Sequence, residues 1–280
     1  MKPAPFEFVQ PRTIEDAVRA LAGSDGMARV MAGGQSLVPM LNLRLAPLER
    51  VIDVSRIEQL RAVEERPDAV VLGACVTHAA IEDGRVPDPT PVGLMRRIAA
   101  GIAYRAVRNR GTLGGSVALA DPSADWVTTM IALDARIEAV GPDGRRSIAA
   151  ADFTLGAYMT ALADDELLYA LCLPRYSAAA RFGHYKMCRK TGEFASSLAL
   201  AAHDPQRGYC RVVLGATDGA PLPLERTAAL LAATGQWSEG LRARVGQAFD
   251  EDCAERRFDD YEQDIHRASV VAAVREALQQ

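Results

Sequence analysis

Two glycine-bearing stretches carry the clearest chemical signal in this chain: Met31-Ala32-Gly33-Gly34-Gln35-Ser36 and Arg108-Asn109-Arg110-Gly111-Thr112-Leu113-Gly114-Gly115-Ser116. Consecutive glycines let a backbone approach a ligand closely and adopt positive φ without a Cβ penalty. Successive N–H groups in such turns form anion-binding concavities, and the hydroxyls of Ser36, Thr112 and Ser116 can add donors. One loop of this kind cradles one phosphate. Two, carried by separate units, suit a diphosphate in the cleft between them, which favours a dinucleotide such as FAD over FMN. Neither stretch gives G-x-G-x-x-G and no G-x-x-x-x-G-K-[ST] occurs, so the Rossmann and P-loop readings fail at the residue level. The competing explanation is that the glycines serve β-turns alone.

The second loop runs on into Val117-Ala118-Leu119-Ala120-Asp121-Pro122-Ser123-Ala124-Asp125-Trp126. Small residues here let the chain pass close to a bulky ligand. Asp125 precedes an apolar helical run and reads as its N-cap. A compatible second role is to accept hydrogen bonds from ligand hydroxyls, as a ribityl chain offers.

These residues need elements to position them. Residues 6–9 read as extended and 13–22 as a helix, with Thr13 and Asp16 resembling a capping box. Residues 28–31 form a short apolar strand that runs into Gly33-Gly34; 37–45 look helical and 51–54 form a second strand, which closes a first unit at 1–56. In a second unit, 57–175, residues 69–74 are a buried strand, Thr77 caps a short helix, and 92–104 read as one longer helix. Gly141-Pro142-Asp143-Gly144 joins 136–140 to 145–148 as a hairpin, and 167–173 is a strand stopped by Pro174. The third unit, 176–280, has strands at 182–189, 197–203 and 209–215, the last two joined by Asp204-Pro205-Gln206-Arg207-Gly208. Helices follow at 226–233, 238–249 and 260–278, an order that fits an antiparallel sheet covered by helices. Tyr261, Ile265, Val270, Val271 and Val274 give the last helix an apolar set at helical spacing, read as intrachain packing.

Composition narrows the function classes. The 280 residues are 49% hydrophobic and 24% charged with a net charge of -4, which suits a fully globular chain of two or three small domains. Acidic and basic residues are interspersed, so no basic stripe exists to neutralise a phosphate backbone, and nucleic acid is excluded as a partner. No apolar run has the length of a membrane span, and the N-terminus lacks an apolar h-region, so a cytoplasmic location is expected. The cysteines, Cys75, Cys172, Cys188, Cys210 and Cys253, are scattered without a CxxC pair. Together with four dispersed histidines they give no disulfide framework and no metal site built by this chain alone.

At these residues the sequence resembles the FAD-binding medium subunit of the molybdenum hydroxylase family, which includes carbon monoxide dehydrogenase and the flavin domain of xanthine dehydrogenase. The stretches that carry the resemblance are AGGQSLVPMLNLRL (32–45), VIDVSRI (51–57), LGACVTHAAIE (72–82), VRNRGTLGGSVALADPSAD (107–125), YKMCRKTGEFA (185–195) and VVLGAT (212–217). It spans essentially the whole chain, and the RNxGTxGGSxAxADPxAD pattern is highly specific. The fold it implies is α+β: a two-subdomain FAD-binding region of the PCMH type, then a C-terminal three-stranded antiparallel sheet with helices.

The resemblance also implies roles. Ala32, Gly33, Gly34, Gln35 and Ser36, with Gly111, Thr112, Leu113, Gly114, Gly115 and Ser116, would hold the FAD pyrophosphate. Ala103 and Val107 would line the cofactor, Asp125 would bind the ribityl chain, and Leu168 is a weaker match to an apolar flavin neighbour. Lys186 falls where related flavin domains place a lysine near the isoalloxazine; a cation at the N1/C2=O edge would raise the flavin potential. The plainer alternative for Lys186 is a solvated strand lysine. Phe194 stands where relatives often put a tyrosine over one flavin face, which keeps the π-surface and drops the hydroxyl. Gln35 replaces a histidine found in some members.

By the same resemblance, a large partner subunit with the molybdenum cofactor oxidises the substrate, a small partner with two [2Fe–2S] clusters relays electrons, and FAD in this chain passes them to an external acceptor. The expected assembly is a dimer of heterotrimers, a heterohexamer, in which this chain is an oxidoreductase component with no catalytic acid or base of its own. One alternative is a self-contained FAD-dependent oxidase or reductase of the same fold, which would need an acid/base pair near the flavin. His184, on a strand, reads as structural instead. The other is a non-catalytic nucleotide-binding protein.

Overall fold

The computed structural model describes residues 2–24 and 26–279. Its first sheet is parallel, with strand Arg50–Asp53 between Glu7–Val9 and Ala28–Met31. Helix Ile14–Ala22 makes the crossover, burying Ile14, Ala17, Val18 and Leu21 on one face. The Thr13 hydroxyl accepts from the Asp16 amide at 3.1 Å, while the Asp16 carboxylate turns to Arg19, so half of the expected capping box forms.

A second sheet of five antiparallel strands runs in the order Val63–Glu65, Ala69–Gly73, Leu167–Pro174, Arg136–Gly141, Gly144–Ala149. The hairpin at 142–143 is present, with Gly141 opposite Gly144. The single helix expected over 92–104 is broken. Helix Leu94–Ala100 stops at Gly101, and Ala103 takes a left-handed φ of 43° before a short helix Arg105–Arg108. The carbonyls of this turn accept from the Lys186 and Arg108 side chains instead of continuing the helical ladder. Conversely, the second half of the second glycine stretch is helical, as part of Leu113–Leu119.

The C-terminal sheet is antiparallel over Arg181–Met187, Ser197–Asp204 and Tyr209–Gly215, extended by the two-residue strand Leu222–Pro223. Alternation along Ser197–Asp204 sorts its side chains between two cores. Leu200 and Ala202, with Phe182 and Val213, join the large core of the N-terminal region, whereas Ala199 and Ala201, with Val212 and Leu214, join a second core under the helices. Helix Asp260–Gln279 lies on this second face, burying Val270, Ala273, Val274 and Ala277. Tyr261 faces away from that packing, 67% exposed, so the expected stripe is shifted toward the C-terminus.

Helix Asp125–Ala132 is the joint between the two regions. It is buried along its whole length and packs on strands Ser197–Asp204 and Tyr209–Gly215. Its last carbonyls are capped from that sheet: the Tyr209 hydroxyl donates to Ala132 O at 2.7 Å and Arg211 Nη1 to Ile131 O at 2.8 Å. The C-terminal sheet is thereby fixed against the helix whose first residue is Asp125.

Candidate functional site

The first glycine loop leaves strand Ala28–Met31 at the C-terminal edge of the parallel sheet and enters helix Leu37–Asn42. Gly34 has φ +73°, a left-handed bend that side-chain-bearing residues adopt only with strain. Among the described residues, the amides of Gly33, Gly34, Gln35, Ser36 and Leu37 donate to no group of the chain, and the Ser36 hydroxyl makes no capping bond. A row of free donors of this kind fits an anion.

The second loop is built differently. Thr112 bridges Thr77, and its hydroxyl caps helix Leu113–Leu119 by accepting from the Gly115 amide at 3.0 Å. The Leu113 amide donates to Val76 O at 2.9 Å, Gly114 to Ala74 O at 3.0 Å, Ser116 to Thr112 O at 3.0 Å and Gly111 to Val107 O at 2.7 Å. The expectation that both loops present free amide rows therefore needs correction. The second loop engages most of its amides within the chain, and its glycines let segments of the chain pack closely, leaving the Thr112 amide and the Ser116 hydroxyl as its donors.

The two loops nevertheless meet. Arg110 Nε reaches Gly33 O at 3.3 Å across 77 residues of sequence. A Cβ at Gly33 would stand 2.0 Å from the Arg110 carbonyl oxygen and one at Gly115 3.5 Å from the Ala32 Cβ, so the loops are in contact and Gly33 admits no side chain.

A second group of candidate residues gathers at the start of helix Asp125–Ala132. Ala124, not Asp125, is its N-cap, and neither makes a side-chain capping bond. The Asp125 carboxylate has another use: Oδ2 accepts from Lys186 Nζ at 2.9 Å, and Oδ1 is buried without a partner. Burial pushes the Asp125 pKa up, against the pull of the Lys186 charge and hydrogen bond. Lys186 also reaches Gly101 O at 3.4 Å. It is therefore no solvated strand lysine, its side chain being 10% exposed.

Gly101 opens the turn that holds Ala103. The Ala103 amide donates to Gly192 O at 3.0 Å, and Ile102 bridges Gly192 in parallel, so the loop at 191–194 is seated beside Ala103. Phe194 projects from that loop 66% exposed, next to a turn that also carries the exposed Tyr104. Val107 is half-buried on helix Arg105–Arg108. Leu168 lies in the large core, on the strand against which helix Leu113–Leu119 packs.

Three residues that the motif reading passed over complete the framework. His78 sits beneath the second loop, its amide donating to Gly111 O and its Nδ1 accepting from Trp126 Nε1 at 3.0 Å. Burial, aided by the Arg108 charge, lowers its pKa to about 4, so the ring is neutral at pH 7. Arg108 pairs with Glu82 and reaches the Ile102 and Ala103 carbonyls. Each stood inside a quoted motif, THAAIE or VRNRGT, but only the pairing of residues distant in sequence shows what it holds. On strand Arg181–Met187, the His184 amide donates to the Glu276 carboxylate, which also pairs with Arg97, and the His184 ring Nε2 is buried without a partner.

Chemically, the site offers free amides for an anion on the first loop, a buried carboxylate oxygen without a partner at Asp125, and, around the turn at 101–103, the Lys186 cation paired to Asp125 and the exposed Phe194 ring. Anion donors, a carboxylate acceptor, a cation and an aromatic surface are the kinds of contact that a dinucleotide such as FAD uses. Among the described residues, no three His, Cys, Asp or Glu side chains form a metal site, and no helix is long and apolar enough to cross a membrane.

Comparison with known proteins agrees. The FAD binding domain in molybdopterin dehydrogenase matches residues 4–176. The medium chain of carbon monoxide dehydrogenase from Hydrogenophaga pseudoflava is 33% identical over 264 residues, 92% of this chain and 86% of that one. The medium subunit of nicotine 6-hydroxylase from Paenarthrobacter nicotinovorans is 35% identical over 225 residues, 78% and 77% of the two chains. A solved structure of carbon monoxide dehydrogenase from Hydrogenophaga pseudoflava, lacking the Mo-pyranopterin moiety of its molybdenum cofactor, matches with a TM-score of 0.90 at 30% identity, covering 100% of this chain and 99% of that one.

Proposed function

Because the chain belongs to the family of FAD-binding domains in molybdopterin dehydrogenases, we propose that it is the subunit through which electrons leave a multi-subunit molybdenum hydroxylase. Membership makes it the FAD-binding subunit of an oxidoreductase of the carbon monoxide dehydrogenase type. Our reading adds the division of labour. A large partner carries the molybdenum cofactor and chooses the substrate, a small partner carries two [2Fe–2S] clusters, and the three assemble as a dimer of heterotrimers in the cytoplasm. The chain itself divides into units 1–56, 57–175 and 176–280, the first two holding the cofactor and the third closing over its ring end.

Bound FAD supplies the chemistry of taking up electrons singly and releasing them in pairs, and the protein contributes orientation and electrostatics. In our assignment, the first loop, Ala32, Gly33, Gly34, Gln35 and Ser36, binds the pyrophosphate through the free amides that begin at Gly33. Gly111, Thr112, Leu113, Gly114, Gly115 and Ser116 form the opposing wall. Asp125 Oδ1 accepts a ribityl hydroxyl, which satisfies its unused lone pairs. Ala103 and Val107 line the cleft, with Leu168 behind them. Lys186 sets a positive charge near the ring, moderated by its pairing with Asp125. Phe194 covers one ring face and excludes water from it.

The observation that carries this reading is the contact between the two glycine loops, with the free donors concentrated on the first. The test is expression of the chain alone and beside its candidate partner genes. The isolated chain should take up about one FAD per chain and oxidise no organic substrate, and it should be reduced by the iron–sulfur partner. A preparation that cannot be reconstituted with FAD would end the cofactor assignment, and substrate oxidation by the chain alone would end the subunit assignment.

A further inference from the structure

The turn at Ile102 and Ala103 needs something to hold it. A non-glycine residue at positive φ is strained, and this turn follows the C-terminus of helix Leu94–Ala100, where carbonyls lack helical partners. Two cations supply them. Lys186 Nζ reaches Gly101 O, and Arg108 Nη1 donates to both Ile102 O and Ala103 O, each at 2.9 Å.

Arg108 can do this because the rest of its guanidinium is fixed. Its Nε donates to Glu82 Oε2 at 2.7 Å and its Nη2 to Glu82 Oε1 at 2.9 Å, a bidentate pair whose side chains are 12% and 18% exposed. That fork turns Nη1 toward the turn, where both of its hydrogens are used. Glu82 ends helix His78–Glu82, whose N-cap, Thr77, bridges Thr112 of the second glycine loop. On its other side the turn receives Gly192, whose φ is +93° and whose added Cβ would stand 2.6 Å from the Ala103 carbonyl oxygen. A single chain of contacts thus runs from the second glycine loop through Glu82, Arg108 and Ala103 to the loop bearing Phe194.

We infer that Arg108 is a positioning residue for the ring end of the cofactor site: clamped by Glu82, it keeps Ala103 in its left-handed bend and so seats the 191–194 loop and Phe194. This rests on the proposed placement of the flavin ring between Lys186 and Phe194. Arg108 touches neither loop that would hold the pyrophosphate through its side chain, so its contribution is to geometry around the ring more than to cofactor affinity. Loss of Arg108 leaves Glu82 paired, because Arg105 Nη1 also reaches its Oε2 at 2.8 Å. No buried charge is stranded.

The test uses the full chain with Arg108→Gln, Arg108→Lys and, as an independent probe of the ring site, Phe194→Ala. In the apo-protein, amide hydrogen exchange at Ala103 and 192–194 should accelerate about tenfold or more in Arg108→Gln. Arg108→Lys should fall between, since one ammonium cannot replace a fork with four bonds. After reconstitution, Arg108→Gln should keep FAD affinity within about threefold, a difference under 1 kcal/mol, while the visible circular dichroism and the quenching of flavin fluorescence change. Wild-type exchange at Ala103 and a wild-type flavin spectrum in Arg108→Gln would overturn the inference, even with a lower melting temperature. If Phe194→Ala leaves the flavin signals unaltered, the ring placement itself is wrong, whereas the exchange arm still decides whether Arg108 seats the loop. Arg108→Lys carries the same comparison should Arg108→Gln not fold.

Discussion

Lys186 and Asp125 lie 61 residues apart in sequence, and the lysine Nζ stands 2.9 Å from the aspartate Oδ2, with side chains 10% and 6% exposed. The pair joins the C-terminal sheet to the first turn of helix Asp125–Ala132, and it leaves Asp125 Oδ1 unsatisfied and buried. A buried charge pair with one open acceptor is a structural tie, and in the proposed assignment it is a ligand contact as well. Removing either partner therefore has two separable effects.

Lys186→Met leaves Asp125 without its cation in a buried setting. Breaking a buried pair from one side costs about 3–5 kcal/mol, and urea unfolding of the apo-protein should show a loss of that order. The Asp125 carboxyl, already pushed up by burial, should rise further in the variant. Asp125→Asn keeps the shape and removes the charge, so it should weaken FAD binding while freeing the Lys186 charge. The flavin midpoint potential should then rise in Asp125→Asn and fall in Lys186→Met; shifts of the same sign would contradict the assignment.

Gly33→Ala places a methyl group where the Arg110 carbonyl oxygen stands, 2.0 Å away. The two loops must part to accommodate it. We expect FAD affinity to fall by about tenfold or more, at least 1.4 kcal/mol, with the far-ultraviolet circular dichroism of the apo-protein little changed. A fluorescence titration giving wild-type affinity would mean that the loop contact is not needed for binding.

Phe194 is exposed, so Phe194→Ala should change stability by no more than about 0.5 kcal/mol. Its effect should lie with the cofactor: stronger flavin fluorescence and faster reaction of the reduced protein with oxygen, measured by stopped flow. Phe194→Tyr, which keeps the aromatic surface and adds a hydroxyl, should quench as well as the native side chain or better.

His78 gives the chain an acid sensitivity. Its folded pKa, about 4, lies below the ordinary 6.5 because of burial, so between those values the unfolded state binds more protons than the folded one. Stability therefore falls as pH drops from 6.5 toward 4, by up to about 3 kcal/mol from this residue. His184, lowered to about 3 by burial, acts in the same direction. His78→Gln, which keeps an acceptor for Trp126 Nε1, should flatten this part of the stability profile in chemical denaturation; an unchanged slope would show that His78 does not titrate as its burial implies.

Much of this site was legible in the sequence because its signals are local. Gly33-Gly34 follows an apolar strand, the second loop lies within one contiguous motif, and Asp125 heads an apolar helical run, so a reader can find each without coordinates. The break at Ala103 was not legible. Residues 94–107 keep a helix-compatible composition, and only the side chains of Lys186 and Arg108, together with the carbonyl of Gly192, make a left-handed turn the better arrangement. Likewise, both loops look equally able to offer amides until Ala74, Val76 and Thr112 are seen to engage those of the second.

By itself, the sequence determined the chain's family, its α+β class and its cofactor, because backbone conformation and short-range capping are written in residue type and spacing. The tertiary structure alone decided which amides remain free, that Lys186 pairs with Asp125, and that Arg108 donates to the Ile102 and Ala103 carbonyls. Those outcomes depend on which donor and acceptor from distant segments reach each other once water is excluded, and a one-dimensional pattern carries no distance between such segments.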